Sequence, residues 1–361
     1  MPSPDQVLAA GANVAHKTLC GGVADLRPMP RTLIDEGTMR EVYRYRPGAG
    51  SHPTGSPVLL VTPLAAPSLC FDLRRGCSLV EHLVGEQRPT YLVEYGEVSF
   101  ADRHLGIEHW IDETIPEAVR VVHEHAGEPV HLVGWSLGGL FAVLTAAERH
   151  DLPIASVTAA GTPVDVTRVP MIAPLRPLVD LADGKVLTAA YRVLGGAPKP
   201  LVRRAFQVSS LDKVITKPVA MLTHLDDEEF LAQLEAVDRF TANMIAYPGR
   251  TFGQLYHRAI RENALAGGGW NLDDDRRIEL SDLHVPLLVL AGSSDGIAPI
   301  DAVRPLAEMV PHSKVRFEVV PGGHLGMLTG RAARATTWRL LDEFLAEHDP
   351  EPEEPRTGSP G

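Results

Sequence analysis

Short strand-like runs alternate along this chain with segments of helical periodicity. Before residue 162 the predicted strands cover 41–47, 57–63, 89–95, 129–134 and 153–161. Most are apolar at nearly every position, which is typical of strands buried on both faces. Buried strands that alternate with helices predict an α/β fold, with a mostly parallel, doubly wound sheet that helices cover on both sides.

The alternation stops between residues 162 and 277, where helical patterns and Pro-rich apolar stretches such as "VPMIAPLRPLVDLA" take over. It resumes with strands at 285–292 and 314–323 and ends with a helix at 331–348. A long insertion late in such a sheet predicts a helical cap over the carboxyl ends of the strands, where ligands bind. The predicted organisation is an N-terminal lead-in (1–40), a core in two parts (41–161 and 278–346), the cap (162–277) and a disordered acidic tail (347–361).

Charge and composition argue against several classes of partner. The formal net charge of −12 argues against a nucleic-acid partner, because no basic cluster is present to neutralise phosphates. No apolar run approaches the length of a membrane-spanning helix, and no signal peptide is expected. Three cysteines without paired spacing predict reduced thiols in a cytoplasmic protein. No metal-ligand cluster or nucleotide-binding glycine motif is found, so no metal or cofactor is expected.

A serine flanked by glycines follows the strand at 129–134, in the stretch "GWSLGG". We expect Gly134 and Gly138 to let backbone approach backbone around a tight turn, and Gly139 to let the next helix pack closely on the sheet. The pattern Gly-x-Ser-x-Gly occurs a second time, at 292–296, so it must be tested by the roles of its residues.

A serine hydroxyl becomes a nucleophile only beside a histidine base that a carboxylate orients. Ser136 meets this requirement, because Asp295 follows a late strand and His324 follows the last strand, in the chain order serine, acid, histidine. Ser294 does not, since it would need an acid at the end of another strand before His324, and Asp301 and Glu308 fall on a helix while Glu318 lies inside a strand. We therefore predict Ser136 as nucleophile, Asp295 as acid and His324 as base. A packing serine, a helix-capping aspartate and a loop histidine without a task remain the alternatives.

An oxyanion hole would complete this site. The backbone N–H of Leu137 opens the helix that follows the nucleophile, and a helix N-terminus favours negative charge. The second donor would come from the loop after the strand at 57–63. Pro63 has no N–H, so Leu64 is the first choice and Ala65 the second.

Four stretches carry a resemblance to a known family: 57–96, "YPGRTFGQLYHRAIRENALAGG", "IELSDLHVPLLVLAGSSDGIAP" and "PGGHLGML". Over roughly residues 40–345 the chain resembles the polyhydroxyalkanoate synthases, of the class III-like type. The resemblance implies an α/β-hydrolase fold, a cap and an apolar acyl substrate. These synthases have a cysteine at the position of Ser136. A thiolate exchanges readily with acyl-coenzyme A thioesters, whereas a serine forms an oxygen ester that water hydrolyses in many relatives.

Three functional hypotheses follow. The first is a serine hydrolase that acts on an ester or thioester of a fatty or hydroxyfatty acyl group through an acyl-serine. The second is an acyltransferase or a polyhydroxyalkanoate synthase-like polymerase that uses acyl-coenzyme A. The third is a non-catalytic relative that binds a partner or a lipid or polymer granule. The expected small-molecule partner is an acyl ester or acyl-coenzyme A, and the cap is a candidate homodimer surface.

Overall fold

A computed structural model of the chain describes residues 3–48, 50, 52–170, 172, 191, 193–208, 221–273 and 275–350. Twelve strands lie within these residues. They are β1 (Arg31–Gly37), β2 (Arg40–Tyr45), β3 (Val58–Val61), β4 (Thr90–Glu94), β5 (Val130–Trp135), β6 (Ile154–Ala160), β7 (Gly196–Ala197), β8 (Tyr247–Pro248), β9 (Gly269–Asn271), β10 (Arg277–Glu279), β11 (Leu287–Gly292) and β12 (Val315–Val320).

Eight of these strands form the central sheet, in the order β1-β2-β4-β3-β5-β6-β11-β12. The two strands at one edge run antiparallel to their neighbours, and the other six are parallel to one another. The predicted mostly parallel sheet is thus confirmed. β5 lies at its centre, where Gly134 pairs with Val61 on one side and Ala159 on the other. The carboxyl ends of β3, β5 and β6 therefore meet at one edge.

Ten α-helices lie within the described residues. They are α1 (Pro4–Cys20), α2 (Leu79–Gly85), α3 (Ile115–Ala126), α4 (Leu137–Glu148), α5 (Lys199–Val208), α6 (Glu228–Ala242), α7 (Gly249–Gln254), α8 (Ile300–Val303), α9 (Gly326–Thr329) and α10 (Thr337–Glu347). Successive residues of β5 show how the sheet is covered, because side chains alternate between its faces. Leu132 joins the core cluster that includes α3 and α4, and Val133 joins the one that includes α2 and α10. No helix within the described ranges is both long and apolar enough to cross a bilayer.

The sheet begins earlier than predicted. β1 lies inside the segment that was expected to be a lead-in, and it pairs with β2 as an edge hairpin. No residue of β1 is fully buried, so the strand needs no continuous apolar run and its sequence gives little sign of it. The remainder of that segment is helical in part, since α1 covers Pro4–Cys20.

Residues 162–277, which we call the inserted segment, enter the chain between β6 and β11. Its described parts hold three α-helices and the strands β7, β8 and β9, each of two or three residues. β7 pairs with β8, and β9 pairs with β10, which begins at the last residue of the segment. Strands this short carry no periodicity, which is why only helices were predicted. Most of the Pro-rich stretch at 169–182 lies outside the described residues. The role of the inserted segment as a cap and as a homodimer surface stays a prediction.

The described structure extends into the segment that was predicted to be a disordered tail. Asp349 lies against the amino-terminal edge of the sheet, where its carboxylate accepts hydrogen bonds from Arg88 Nη1 (2.6 Å) and the Ser56 amide (2.9 Å). His131 Nε2 lies 3.2 Å from the same carboxylate. His131 is fully buried in β5, and its Nδ1 meets Ser156 Oγ at 2.7 Å. The ordered core therefore extends at least to Asp349, and residues 351–361 lie outside the described part.

Asp349→Asn is expected to lower the free energy of unfolding at pH 7 by about 2 kcal/mol, because the variant loses an ion pair with Arg88 that is mostly buried. Burial alone would raise the pKa of Asp349, but hydrogen bonds from His131, Arg88 and the Ser56 amide outweigh it and hold that pKa well below its usual range. Burial also lowers the pKa of His131.

Both groups have a lower pKa in the folded chain, so the unfolded chain takes up more protons as the pH falls. The stability that they contribute is complete above about pH 6.5 and is lost at lower pH. Urea unfolding at pH 7 and pH 5 should show a larger difference in Asp349→Asn than in the wild type, because the Asp349 carboxylate raises the pKa of His131 and its loss lets that pKa fall further. Glu347→Gln, which alters an exposed pair with Lys314, is the control and should match the wild type. Equal free energies of unfolding for Asp349→Asn and the wild type would show that Asp349 does not stabilise the fold.

Candidate active site

Ser136 lies in the turn between β5 and α4, with φ 55° and ψ −120°. A positive φ is unfavourable for a residue with a Cβ, and such strain persists only where the surroundings hold it. The turn is held on two sides: the Ser136 amide donates to the Ala160 carbonyl (2.8 Å), and Thr162 Oγ1 donates to the Ser136 carbonyl (3.0 Å). The serine itself is half-buried, so its hydroxyl is presented at the carboxyl edge of the sheet.

The three glycines around this turn have the close contacts that were predicted. A Cβ on Gly138 would lie 2.2 Å from the Val61 carbonyl oxygen, and one on Gly134 would lie 2.4 Å from the Gly138 carbonyl oxygen. A Cβ on Gly139 would lie 2.1 Å from Thr162 Oγ1. Glycine at Gly138 therefore brings the start of α4 against the end of β3, next to the loop expected to supply the second oxyanion donor.

The structure brings the three predicted side chains together. His324 Nε2 lies 3.0 Å from Ser136 Oγ, and His324 Nδ1 lies 2.7 Å from Asp295 Oδ2. The Asp295 side chain is wholly buried and that of His324 nearly so. A carboxylate beside Nδ1 favours the tautomer that carries its proton there, which leaves Nε2 free to accept a proton from the serine hydroxyl.

The sequence left Asp295 as either a capping aspartate or the acid beside the histidine, and its two oxygens make both kinds of contact. Its Oδ1 accepts hydrogen bonds from the Ile297 amide (2.8 Å) and the Ala298 amide (2.9 Å), as a turn-capping aspartate does. Its Oδ2 faces His324. The same backbone amides that fix the loop therefore fix the direction of the carboxylate. The second Gly-x-Ser-x-Gly match is thus the loop that presents Asp295 to the histidine.

Two further glycines, which the sequence analysis did not single out, make room for the histidine and the acid. A Cβ on Gly161, which has φ 58°, would lie 3.2 Å from the imidazole of His324. A Cβ on Gly292 would lie 2.7 Å from the Gly322 carbonyl oxygen and 3.2 Å from the Asp295 Cβ. Both follow or end a buried strand, and that position was the available signal in the sequence.

The loop after β3 carries the candidate oxyanion donors Leu64 and Ala65, both buried. Ala65 has φ 65°, and its carbonyl accepts a hydrogen bond from the Ile245 amide of the inserted segment (2.9 Å). Within the described part of the chain, the N–H groups of Leu137, Leu64 and Ala65 donate to no protein acceptor. Leu64 and Ala65 therefore both remain candidates for the second donor.

Cys70 does not compete with the serine as a nucleophile. Cys70 and Cys77 are buried and not in a disulfide. Burial raises the pKa of the Cys70 thiol well above its usual value, so it stays protonated. A buried thiol without thiolate character is unreactive.

A surface cleft of about 670 Å³ lies elsewhere, between the inserted segment and the 3₁₀ turn at Phe100–His104. None of Ser136, Asp295 and His324 lines it. Two of its arginines are paired with carboxylates, Arg250 with Glu108 and Arg258 with Glu262. The cleft is thus separate from the Ser136 site.

Comparisons with known proteins find relatives over most of the chain. The chain is 25% identical over 298 residues to a poly(3-hydroxyalkanoate) polymerase subunit PhaC of Haloferax mediterranei, covering 81% of this chain and 58% of that relative. It is 25% identical over 321 residues to the subunit of the same name of Allochromatium vinosum, covering 88% of each. These relatives confirm the resemblance to polyhydroxyalkanoate synthases.

A solved structure shares the fold. A soluble variant of monoglyceride lipase from Saccharomyces cerevisiae is 12% identical, with a TM-score of 0.54, over 91% of this chain and 98% of that one. The model of the family described as alpha/beta hydrolase fold matches residues 57–331, which is most of the chain. The chain is therefore an enzyme that belongs to the alpha/beta hydrolase fold family.

Proposed function

We propose that this enzyme is a serine hydrolase that cleaves an ester or thioester of a fatty or hydroxyfatty acyl group through an acyl-serine at Ser136. The observation that carries the proposal is the continuous hydrogen-bonded chain from Ser136 Oγ through the imidazole of His324 to the carboxylate of Asp295. It gives the hydroxyl proton an acceptor and stabilises the imidazolium that results.

In the first half-reaction, Ser136 Oγ attacks the carbonyl carbon while His324 Nε2 takes the hydroxyl proton. The carbonyl oxygen becomes an oxyanion that accepts hydrogen bonds from the N–H groups of Leu137 and of Leu64 or Ala65. The tetrahedral intermediate then collapses, the bond from the carbonyl carbon to the leaving oxygen or sulfur breaks, and His324 Nε2 returns its proton to the departing alcohol or thiol. The acyl group is left on Ser136 as an ester.

In the second half-reaction, a water molecule takes the place of the leaving group. His324 Nε2 accepts one of its protons as the water oxygen attacks the acyl carbon. The second tetrahedral intermediate releases the carboxylic acid, and Ser136 Oγ recovers its proton from His324. Asp295 remains ionised throughout and holds the imidazole in place.

An apolar acyl group fits the side chains beside the site. Ala65, Trp135, Phe240 and Met244 are buried in one apolar cluster, and two of them belong to the inserted segment. The hydrogen bond from the Ile245 amide to Ala65 shows that this segment reaches the candidate oxyanion loop. Apolar walls favour a fatty or hydroxyfatty chain, and a covering segment limits access of water. The proposed cap function of the inserted segment rests on these contacts.

The relatives support a second candidate function, in which an alcohol rather than water accepts the acyl group. The named relatives are polymerase subunits, so acyl transfer from acyl-coenzyme A to a hydroxyl is the chemistry that their names suggest. Water is preferred here because an acyl-serine is an oxygen ester, whereas a thioester on cysteine transfers its acyl group more readily.

Labelling by a fluorophosphonate tests the proposed nucleophile. The probe should phosphonylate Ser136 in the wild type, and mass spectrometry of the peptide should locate the adduct there. Ser136→Ala should take up no probe. Ser294→Ala, which alters the serine of the second Gly-x-Ser-x-Gly match, is the matched control and should be labelled like the wild type. Equal labelling of wild type and Ser136→Ala would overturn the proposal.

Product analysis with 3-hydroxyacyl-coenzyme A then separates the two candidate functions. Release of the free hydroxy acid with coenzyme A is the expected outcome. Oligomers, or esters of an added alcohol, would instead assign the enzyme as an acyltransferase. A panel of p-nitrophenyl esters of rising chain length, run beside it, would show whether an apolar chain raises kcat/KM.

A further inference from the structure

Trp135 lies immediately before the proposed nucleophile, and its side chain faces the histidine. Its indole N–H donates a hydrogen bond of 2.9 Å to the backbone carbonyl of His324. Its ring also lies against the imidazole, with 4.7 Å between ring centroids and an interplanar angle of 43°. The residue is almost wholly buried. One side chain thus holds both the backbone and the ring of His324.

A second ring contact of Trp135 is made by the inserted segment. The ring of Phe240 in α6 meets the indole edge-on, with 6.0 Å between centroids. Phe240 is itself buried in the same cluster. The indole therefore contacts both a helix of the inserted segment and the histidine, and these contacts restrict the positions that the indole can take.

We propose that Trp135 is a positioning residue that fixes His324 over Ser136; this inference rests on the proposed function. His324 follows β12 in a loop that contains Gly322 and Gly323, and glycines leave such a backbone many conformations. Trp135 ends the central strand β5, which is paired on both sides. β5 therefore leads into the nucleophile Ser136 and also carries Trp135, which holds the base His324. The distance between Ser136 Oγ and His324 Nε2 thus depends on one rigid element.

This placement matters because proton transfer depends steeply on the distance and direction between the serine and the histidine. The bond from Asp295 fixes one end of the imidazole. Amides of Ser294 and Met327 hold the carbonyls of the two glycines before His324, at 3.0 and 2.9 Å. The bond from Trp135 adds a hold on the carbonyl of His324 itself. The expected signature is a lower rate of the chemical step with little change in substrate binding.

Trp135→Phe tests the proposal, because it keeps a ring and removes the N–H. We expect kcat for hydrolysis of p-nitrophenyl acetate, whose acyl group is too short to use the apolar wall, to fall about ten-fold, as for loss of one buried hydrogen bond, with KM unchanged. In proton NMR, the downfield resonance of the His324 Nδ1–H should broaden through exchange with water. Asp295→Asn, which should lose that resonance, provides its assignment.

Trp110→Phe is the matched control. Trp110 is a buried indole whose N–H donates to Thr251 Oγ1 at 3.2 Å, in the core cluster on the other face of the sheet. Trp110→Phe should lose about as much stability as Trp135→Phe but should keep the kcat and the His324 Nδ1–H resonance of the wild type. A Trp135→Phe enzyme with wild-type kcat and an unchanged resonance would overturn the proposal, and so would equal losses of kcat in both variants.

Phe240→Leu keeps the proposal testable if Trp135→Phe does not fold. It retains the indole N–H but removes the ring contact with the indole, so kcat for p-nitrophenyl acetate should fall about 2- to 10-fold with KM unchanged, because an acetyl group is too short to use the apolar wall. Wild-type kinetics and an unchanged resonance in Phe240→Leu would then count against the proposal. Failure of the proposed function is a separate result, because it would show as wild-type protein that the fluorophosphonate does not label at Ser136.

Discussion

Asp295→Asn is expected to lower kcat/KM for a p-nitrophenyl ester about 10⁴-fold while the protein stays folded. The two oxygens of Asp295 have different partners: Oδ1 accepts from the Ile297 and Ala298 amides, and Oδ2 faces His324 Nδ1. An asparagine must keep its single carbonyl oxygen towards the two amides, because its NH₂ group has no proton acceptor there.

The NH₂ group of the asparagine then points at His324 Nδ1 and donates to it. A nitrogen that accepts a hydrogen bond carries no proton, so the imidazole proton moves to Nε2. Nε2 lies 3.0 Å from Ser136 Oγ in the wild type and would now present a proton where the hydroxyl needs an acceptor. The variant keeps its size and its loop contacts, so the loss falls on the chemical step rather than on folding.

Steady-state kinetics and circular dichroism check this prediction. Asp301→Asn is the matched control, because it is the same chemical change at an exposed acid in α8, six residues further on. It should retain the kcat/KM of the wild type. A loss of less than ten-fold in Asp295→Asn would show that the carboxylate does not set the tautomer of His324. An equal loss of kcat/KM in Asp301→Asn would show that the effect is not specific to Asp295.

Sequence reasoning predicted that these three residues lie together because the topology of a parallel sheet determines where the ends of its strands meet. Once 129–134, 285–292 and 314–323 are recognised as strands of one parallel sheet, their carboxyl ends must lie at one edge. Ser136, Asp295 and His324 each follow one of these strands, so their proximity could be inferred without coordinates. Continuous apolar runs made β5 and β11 recognisable, since both strands are buried on both faces. β12 is a half-buried edge strand, and the Gly-rich loop that follows it made its end recognisable.

What the sequence did not reveal depends on contacts that leave no local pattern. β1 is an edge strand with a half-exposed surface, so it lacks an apolar run. Asp349 is held by His131, 218 residues away, and nothing in the acidic tail distinguishes it from its neighbours. Trp135 was visible in the motif, but its bond to His324 depends on the path of a loop 189 residues later. Side-chain partners of this kind require the fold to be known first.

Gly138→Ala is expected to lower the free energy of unfolding by about 3–5 kcal/mol and to abolish labelling of Ser136. Its Cβ would lie 2.2 Å from the Val61 carbonyl oxygen and 2.9 Å from the Thr62 carbonyl carbon, both backbone atoms that no rotamer change can move. Relief requires α4 to move away from β3. That shift separates the Leu137 N–H from the loop that carries Leu64, so the oxyanion hole opens.

The second Gly-x-Ser-x-Gly match supplies the control for this prediction. Gly296 holds the position that corresponds to Gly138, but a Cβ there would meet no atom within 4 Å and its φ is not in the left-handed region. Gly296→Ala should therefore change the free energy of unfolding by less than about 0.5 kcal/mol. Urea unfolding and fluorophosphonate labelling of both variants compare the two matches directly. Similar behaviour of the two alanine variants would mean that close backbone approach does not distinguish the turn at Ser136 from the loop at Asp295.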